Sequence, residues 1–476
     1  MSSEGNGRCL DAFVIALDQA REGGKKRWYV STLELQLASL EFCRACRRVP
    51  TLHVRVVDET TPRSLWSPPN TQTRQIERDT KVRVSSRVPV VRALRLTWMY
   101  PDTDLVDRAP SELWAWCERL DLGAAESSEP SDCPVSLWRM GSIEWPRGLK
   151  HLVVESHLEI PVMRVSWPAS LQELSIGGHF NQSIDRVKWP ASLQRLSLGQ
   201  YFNESIVGVT WPASLKQLSF GARFNQSLVA VVWPASLQKL SFGNSFNRRV
   251  TAGVWGVKWP AFLQQLSFGN SFNQPVVGVV WPASLQQLSF GEHFDQPIIG
   301  VEWPASLQKL SCGGCFQPIA GAVWPASLQQ LSLGEHFDSP IIGVEWPASL
   351  QQLSFGYLFN KPIAGVVWPV SLRQLSFGYG FDQPIAEVVW PVSLRQLSFG
   401  HGFDQPIARV VWPASLQQLS FGQWFNQPIA EVVWPASLQH LSFRGNNRQA
   451  FDDVVWPASL RCVTREAWCG LPPCGV

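Results

Sequence analysis

Two Cys-x-x-Cys pairs are the first candidates for chemistry in the chain. Cys43-x-x-Cys46 has the spacing of one half of a four-ligand zinc site, but no second half lies close by. Cys312-Gly313-Gly314-Cys315 has the spacing of a redox or metal pair. Cys462, Cys469 and Cys474 could cross-link the end of the chain, though only in an oxidising compartment. Ten cysteines in 476 residues fall short of the density of a disulfide scaffold. The expectation is therefore reduced thiols in an intracellular, cytoplasmic protein. The eight histidines are scattered, and no Ser/His/Asp or Cys/His set or phosphate loop stands out. These residues point to no catalytic site, no cofactor and no bound metal.

A more regular signal is a column of amides and carboxylates: Asn181, Asn203, Asn225, Asn247, Asn273, Asp295, Asp338, Asn360, Asp382, Asp404 and Asn426. Such side chains can bond backbone groups of turns. A calcium-binding acidic column is the functional alternative. Seven of the eleven rungs are neutral Asn, whereas calcium needs clustered carboxylates, so a structural ladder is expected.

The elements that position this column come from an internal repeat. Trp-Pro occurs fifteen times between Trp145 and Trp456, and of the fourteen intervals twelve are 22 residues, one is 26 and one is 21. A fixed period of this length with Leu-x-x-Leu-x-hydrophobic inside it marks a leucine-rich-type solenoid. In the unit that starts at Trp281, Leu288 and Phe290 share one face of a short strand, while Gln287 and Ser289 face outward. Gly291 is expected to allow a sharp exit from the strand. Phe294 and Ile298 turn back inward around Asp295, and Pro282 and Pro297 forbid a long helix on the return path. One coil cannot bury its own Leu, Phe and Trp. Stacked coils make a parallel sheet and one continuous core. The Trp column reads as stacked aromatic core, with a sugar-stacking surface as its alternative. The fold class expected is a mainly β repeat solenoid: a leucine-rich-repeat-like right-handed coil with one parallel sheet and little helix except near the N-terminus.

The run from Leu285, Leu-x-x-Leu-x-Phe-Gly-x-x-Phe-Asp-x-Pro-Ile, resembles the FNIP repeat, which is related to leucine-rich repeats. Phe272-Asn273-Gln274-Pro275 and Phe425-Asn426-Gln427-Pro428-Ile429 match that motif best, and the resemblance covers residues 145–460. One departure is systematic: Trp-Pro stands where the family usually has Leu-Pro. The resemblance implies an interaction protein without catalytic residues. In some members of the family it also implies an N-terminal F-box that docks a ubiquitin ligase.

The expected organisation has four parts. Residues 1–50 form a helical cap or a divergent F-box-like segment, patterned by Leu33, Leu35, Leu37, Leu40 and Phe42; the usual Leu-Pro opening of an F-box is missing. Residues 51–144 hold degenerate coils around Leu52–Val56, Ala93–Leu96 and Leu120–Gly123, with polar loops between them. Residues 145–460 carry about fourteen to fifteen repeats, and 461–476 close the array. Polar replacements, Glu155, Leu158 and Glu159 in the first unit and Arg444, Asn447 and Arg448 in the last, suit the ends of an open stack. The 21-residue coil around Cys312 lacks its Asn and reads as degenerate, with Cys312 in the inward Phe position. His293 and His336 lie two coils apart, too far for one metal.

Forty-one Lys plus Arg against 38 Asp plus Glu leave a net charge of +3, which offers no basic field for nucleic acid. No apolar run approaches the ~18–20 residues of a membrane span. The partner expected is another protein, with a ubiquitin-ligase adaptor as one identity; neither nucleic acid nor membrane is expected. What varies between coils points to where it sits. The two sites after the strand glycine differ from coil to coil, as in Gly178-His179, Gln200-Tyr201, Ala222-Arg223, Glu292-His293, Tyr357-Leu358, Tyr379-Gly380, His401-Gly402 and Gln423-Trp424. Loop edges of this kind concentrate binding residues, although drift at tolerant sites would look the same. The 26-residue coil adds Arg248, Arg249 and Trp255, a hot-spot composition or a neutral insertion. Three functions remain: a protein-binding scaffold, which could serve as the receptor arm of a ubiquitin ligase; a binder of a repetitive ligand, polysaccharide or ice, on the uniform Ser/Gln face; and an unrecognised enzyme.

Overall fold

The computed structural model describes residues 52–56, 93–98, 118–124, 145–154, 162–251, 256–314, 318–444 and 453–466. The segment 1–50, the pair Cys43/Cys46, Cys315, Trp255, Cys469, Cys474 and the end residues Glu155, Leu158, Glu159, Asn447 and Arg448 lie outside the described residues. The chain divides into two compact units, residues 1–221 and 222–476.

In the first unit the strands are β1 (Leu52–Val56), β2 (Ala93–Trp98), β3 (Arg119–Ala124), β4 (His151–Val154), β5 (Glu173–Ile176), β6 (Arg195–Ser197) and β7 (Gln217–Ser219). Each pairs in parallel with the next, in a register that carries one leucine column through Leu120, Leu152, Leu174, Leu196 and Leu218. Strands β1, β2 and β3 fall at the three alternating segments named before Trp145.

The second unit continues with β8 (Lys239–Ser241), β9 (Gln265–Ser267), β10 (Gln287–Ser289), β11 (Lys309–Cys312), β12 (Gln330–Leu333) and β13 (Gln352–Ser354). It ends with β14 (Gln374–Ser376), β15 (Gln396–Ser398), β16 (Gln418–Phe421), β17 (His440–Arg444) and β18 (Cys462–Glu466). These eleven strands are also parallel neighbours in chain order. No helix occurs among the described residues.

Each strand is short because three β-turns close the coil. In one circuit the Phe294 amide donates to the Gly291 carbonyl at 3.1 Å, Val301 to Ile298 at 3.3 Å and Leu307 to Pro304 at 3.0 Å. Between the turns Leu288, Phe290, Phe294, Ile298 and Leu307 point inward and are almost fully buried. Phe290 and Phe294 stack within the coil at 4.1 Å between ring centroids, and Phe294 lies 6.1 Å from Phe272 of the coil before. The tryptophans stack likewise, Trp281 on Trp303 at 6.5 Å with 15° between planes. Fourteen indole N–H groups, Trp145 through Trp434, are buried with no hydrogen-bond partner, so the column acts through area and stacking. Burying a large aromatic is worth on the order of 3–5 kcal/mol against truncation to Ala, which makes these columns the main source of coil stability.

The glycine after the strand serves a different purpose from the sharp exit expected of it. Gly291 has no positive φ; a Cβ there would lie 2.1 Å from the Gly269 carbonyl oxygen of the preceding coil. Close approach of two backbones is what excludes a side chain. Positive φ belongs instead to the second turn, at Gly208, Gly278, Gly300, Gly321, Gly343 and Gly365, with Ala230 at 63° in the same position.

Candidate functional site

Polar side chains tie the coils to one another along two columns. In the first, the side-chain Oδ1 of a rung accepts the backbone N–H of the rung one coil later: Asn203 to Asn181 at 2.8 Å, Asn247 to Asn225 at 3.0 Å and Asn360 to Asp338 at 2.9 Å. Four more follow the same pattern: Asn273 to Asn247, Asp295 to Asn273, Asp382 to Asn360 and Asp404 to Asp382. Asn426 continues the series to Asp404 at 2.8 Å. The following Gln adds a second donor to the same oxygen, as Gln383 Nε2 does to Asn360 Oδ1 at 2.9 Å. At Asp338 that role passes to Lys361, whose Nζ reaches the other oxygen, Oδ2, at 2.6 Å. The rungs sit at a half-open surface, and each bonds a backbone N–H of the next coil. Oxygens already holding two donors suit cohesion between coils better than they suit calcium.

The second column was not singled out from the sequence. The serine of Trp-Pro-x-Ser-Leu donates its hydroxyl to a leucine carbonyl of the preceding coil, as Ser306 does to Leu285 at 2.7 Å and Ser393 to Leu372 at 2.7 Å. One coil has Phe262 in place of this serine, with 64% of the ring exposed. Ser284 then bonds both Ala261 and Leu263 carbonyls, each at 2.8 Å.

The outward side of the sheet differs between the units. In the first, His151 Nδ1 lies 2.8 Å from Glu173 Oε2, and Arg195 Nη2 donates to the same oxygen at 2.8 Å. Partial burial alone would raise the Glu173 carboxyl, but the hydrogen bonds from His151 and Arg195 outweigh it and hold the group below its ordinary value. Charged residues 22 apart at the first strand position were the signal for this triad. In the second unit the face is a groove of about 690 Å³ running across β11 to β18. It is lined by columns of Gln and Ser, among them Gln352, Gln374, Gln396, Ser354, Ser376 and Ser398. The Ser420 hydroxyl donates to that of Ser398 at 2.8 Å.

The variable edge is rigid. In eight coils the second variable residue donates its N–H to the carbonyl of the first variable residue one coil back, as Gly380 does to Tyr357 at 2.7 Å and Trp424 to His401 at 2.9 Å. In the second unit this gathers Tyr357, Tyr379, His401 and Trp424. Tyr357 and Tyr379 stack at 4.6 Å, His401 lies 5.2 Å from Tyr379, and Trp424 meets Tyr379 edge-on at 5.7 Å. The tryptophan reaches across two coils because the site between them is Gly402, which is buried. Tyr357 and Trp424 remain more than half exposed. In the first unit His179 and Tyr201 form a smaller stack at 4.7 Å.

The other candidate residues are dispersed. Arg223 and Arg249 are exposed, and Arg248 Nε donates to the Asn225 carbonyl at 2.7 Å. His293 Nδ1 lies 2.9 Å from the Asn270 carbonyl. Cys312 is buried in the inward Phe position, and Cys462 is exposed. Among the described residues no three His, Cys, Asp or Glu gather where they could hold a metal ion. No described helix is long and apolar enough to cross a membrane.

One strand and three turns per coil, with a parallel sheet and a leucine-phenylalanine core, define a leucine-rich-repeat-like β-solenoid. The chain carries FNIP repeats: the FNIP Repeat family matches residues 180–222, 202–245, 337–380, 359–402, 381–424 and 403–446. Among solved structures the chain is similar to CroV588, described as a novel circular leucine-rich-repeat protein, at 32% identity and a TM-score of 0.62. That match covers 78% of this chain and 59% of CroV588, so the chain spans about three fifths of its relative's length. More distant matches include the Drosophila Toll–Spatzle complex, with 12% identity, a TM-score of 0.45 and coverage of 78% and 48%. InlJ of Listeria monocytogenes has 9% identity, a TM-score of 0.40 and coverage of 72% of both chains. No curated protein matches the sequence.

Proposed function

We propose that the protein is a non-catalytic, intracellular scaffold that binds another protein through the variable edge of its solenoid. The observation that carries this reading is the surface cluster of Tyr357, Tyr379, His401 and Trp424, with Tyr357 and Trp424 exposed and the coils joined by backbone bonds. Tyr and Trp are the side chains that dominate interface hot spots, and a pre-ordered cluster loses little entropy on binding.

A ubiquitin-ligase receptor arm is the finer form of this proposal. It is tested by cross-linking the full chain to a ligase adaptor and asking whether residues 8–50 carry the cross-links. The groove across β11 to β18 favours one second reading, an extended repetitive ligand such as a polysaccharide. A trough suits a chain, whereas ice would need a flat lattice. Affinity capture with the full chain, read by mass spectrometry, separates the two. A protein retained by the wild type and by Ser354→Ala/Ser376→Ala, but lost on Tyr379→Ala/Trp424→Ala, supports the edge. Glycan retention lost on the serine changes alone would move the function to the groove.

A further inference from the structure

The residue just before the tryptophan of each Trp-Pro points outward, and its chemistry changes along the chain. In the first unit it is Ser166, Lys188 and Thr210, so the fold makes no demand for an apolar side chain there. In the last five coils it is valine without exception: Val367, Val389, Val411, Val433 and Val455, exposed by 79–83%. The neighbouring site after Trp-Pro adds Val370 and Val392, exposed by 74% and 80%, and is Ala in the other three of these coils. The result is an unbroken β-branched stripe on one corner of the second unit, unlike the singly scattered apolar residues of an ordinary surface.

The geometry points to a second copy of this chain as the occupant of the stripe. Its knobs recur once per coil, and only a surface with the same period can seat several of them at once; another copy, run antiparallel, has that period by construction. The area is of the right order. The valines and the alanines beside them expose on the order of 700 Å² per copy, close to the ~800 Å² per partner of a standard-size interface. Charge selects a register. The column beside the stripe reads Gly365, Glu387, Arg409, Glu431 and Asp453, and its four charged residues are all exposed. A two-fold axis between the coils of Val389 and Val411 sets Arg409 opposite Glu387 of the second copy and Val367 opposite Val433, with Val455 left outside the paired valines. Shifting the axis onto Val411 would oppose Arg409 to itself and Glu387 to Glu431, which like-charge repulsion disfavours.

Sedimentation equilibrium of the full chain over a micromolar concentration series tests this. The wild type should show a reversible monomer–dimer equilibrium. Val389→Lys/Val411→Lys should weaken it at least tenfold with circular dichroism and melting temperature unchanged, while Val280→Lys, in the same column outside the stripe, should leave it intact. Arg409→Glu should weaken the dimer, and Arg409→Glu with Glu387→Arg should restore it. Tyr379→Ala/Trp424→Ala should not alter the mass, which separates this interface from the partner edge. A wild type that stays monomeric throughout, a dimer indifferent to the lysine pair, or an open-ended polymer would each overturn the proposal.

Discussion

Two of the three corners of the coil use glycine, the first in nearly every described repeat and the second in some, and they use it for different reasons. At the corner after the strand, a Cβ on Gly378 would lie 1.7 Å from the Gly356 carbonyl oxygen, so the demand comes from the neighbouring coil. At the second corner, Gly365 has open space where a Cβ would stand, but its φ is +82°. There the demand is the residue's own torsion, as the third residue of a turn that needs φ > 0. The first corner therefore fixes how closely coils approach and, through that, the spacing of the aromatic edge beside it. The second corner is replaceable. Glu387, Arg409 and Glu431 occupy the same turn position without a positive φ, and this corner is free to carry the charges and valines of the opposite surface.

The sharpest way to break this distinction is alanine at both corners. Gly378→Ala meets the backbone of the preceding coil and should cost at least ~3 kcal/mol, the upper end of overpacking, read in denaturant melts. Gly365→Ala has room and should cost only the left-handed torsion, about 1–2 kcal/mol. Equal losses would erase the distinction. A smaller effect of opposite sign is expected at Ala230, the one described non-glycine residue with positive φ in this turn. Ala230→Gly should stabilise the chain by about 0.5–1 kcal/mol by relieving that torsion. Glu387→Gly, where no positive φ needs relief, should instead destabilise by up to ~1 kcal/mol through the entropy of the unfolded chain.

Much of this coil was legible in the sequence because its information is periodic. Leu288 and Phe290 two apart identify the inward face, and Trp-Pro marks the repeat boundaries. Degenerate strands at Leu52, Ala93 and Leu120 were readable from alternation alone. What could not be read involves the preceding coil. Gly291 looks like any turn glycine until the Gly269 carbonyl is placed against it. Ser306 looks like a turn serine, because its acceptor, Leu285, is 21 residues away. The edge residues were each visible as variable positions. That Trp424 crosses to Tyr379 depends on the small residue at 402, a contact between coils that no single repeat contains. The triad of His151, Glu173 and Arg195 was hidden in the same way, one charge per coil.

The claim at the centre of this account is that binding energy lies on the rigid aromatic edge and not on the uniform face of the sheet. Calorimetric titration of a captured partner into the full chain tests it most directly. With Tyr357→Ala, Tyr379→Ala, His401→Ala and Trp424→Ala combined, Kd should rise at least tenfold, a loss of about 1.4 kcal/mol or more, with circular dichroism unchanged. Ser332→Ala, Ser354→Ala, Ser376→Ala and Ser398→Ala combined should leave Kd within about twofold, under ~0.5 kcal/mol. Wild-type affinity in the edge variant, or loss of binding in the serine variant, would contradict it.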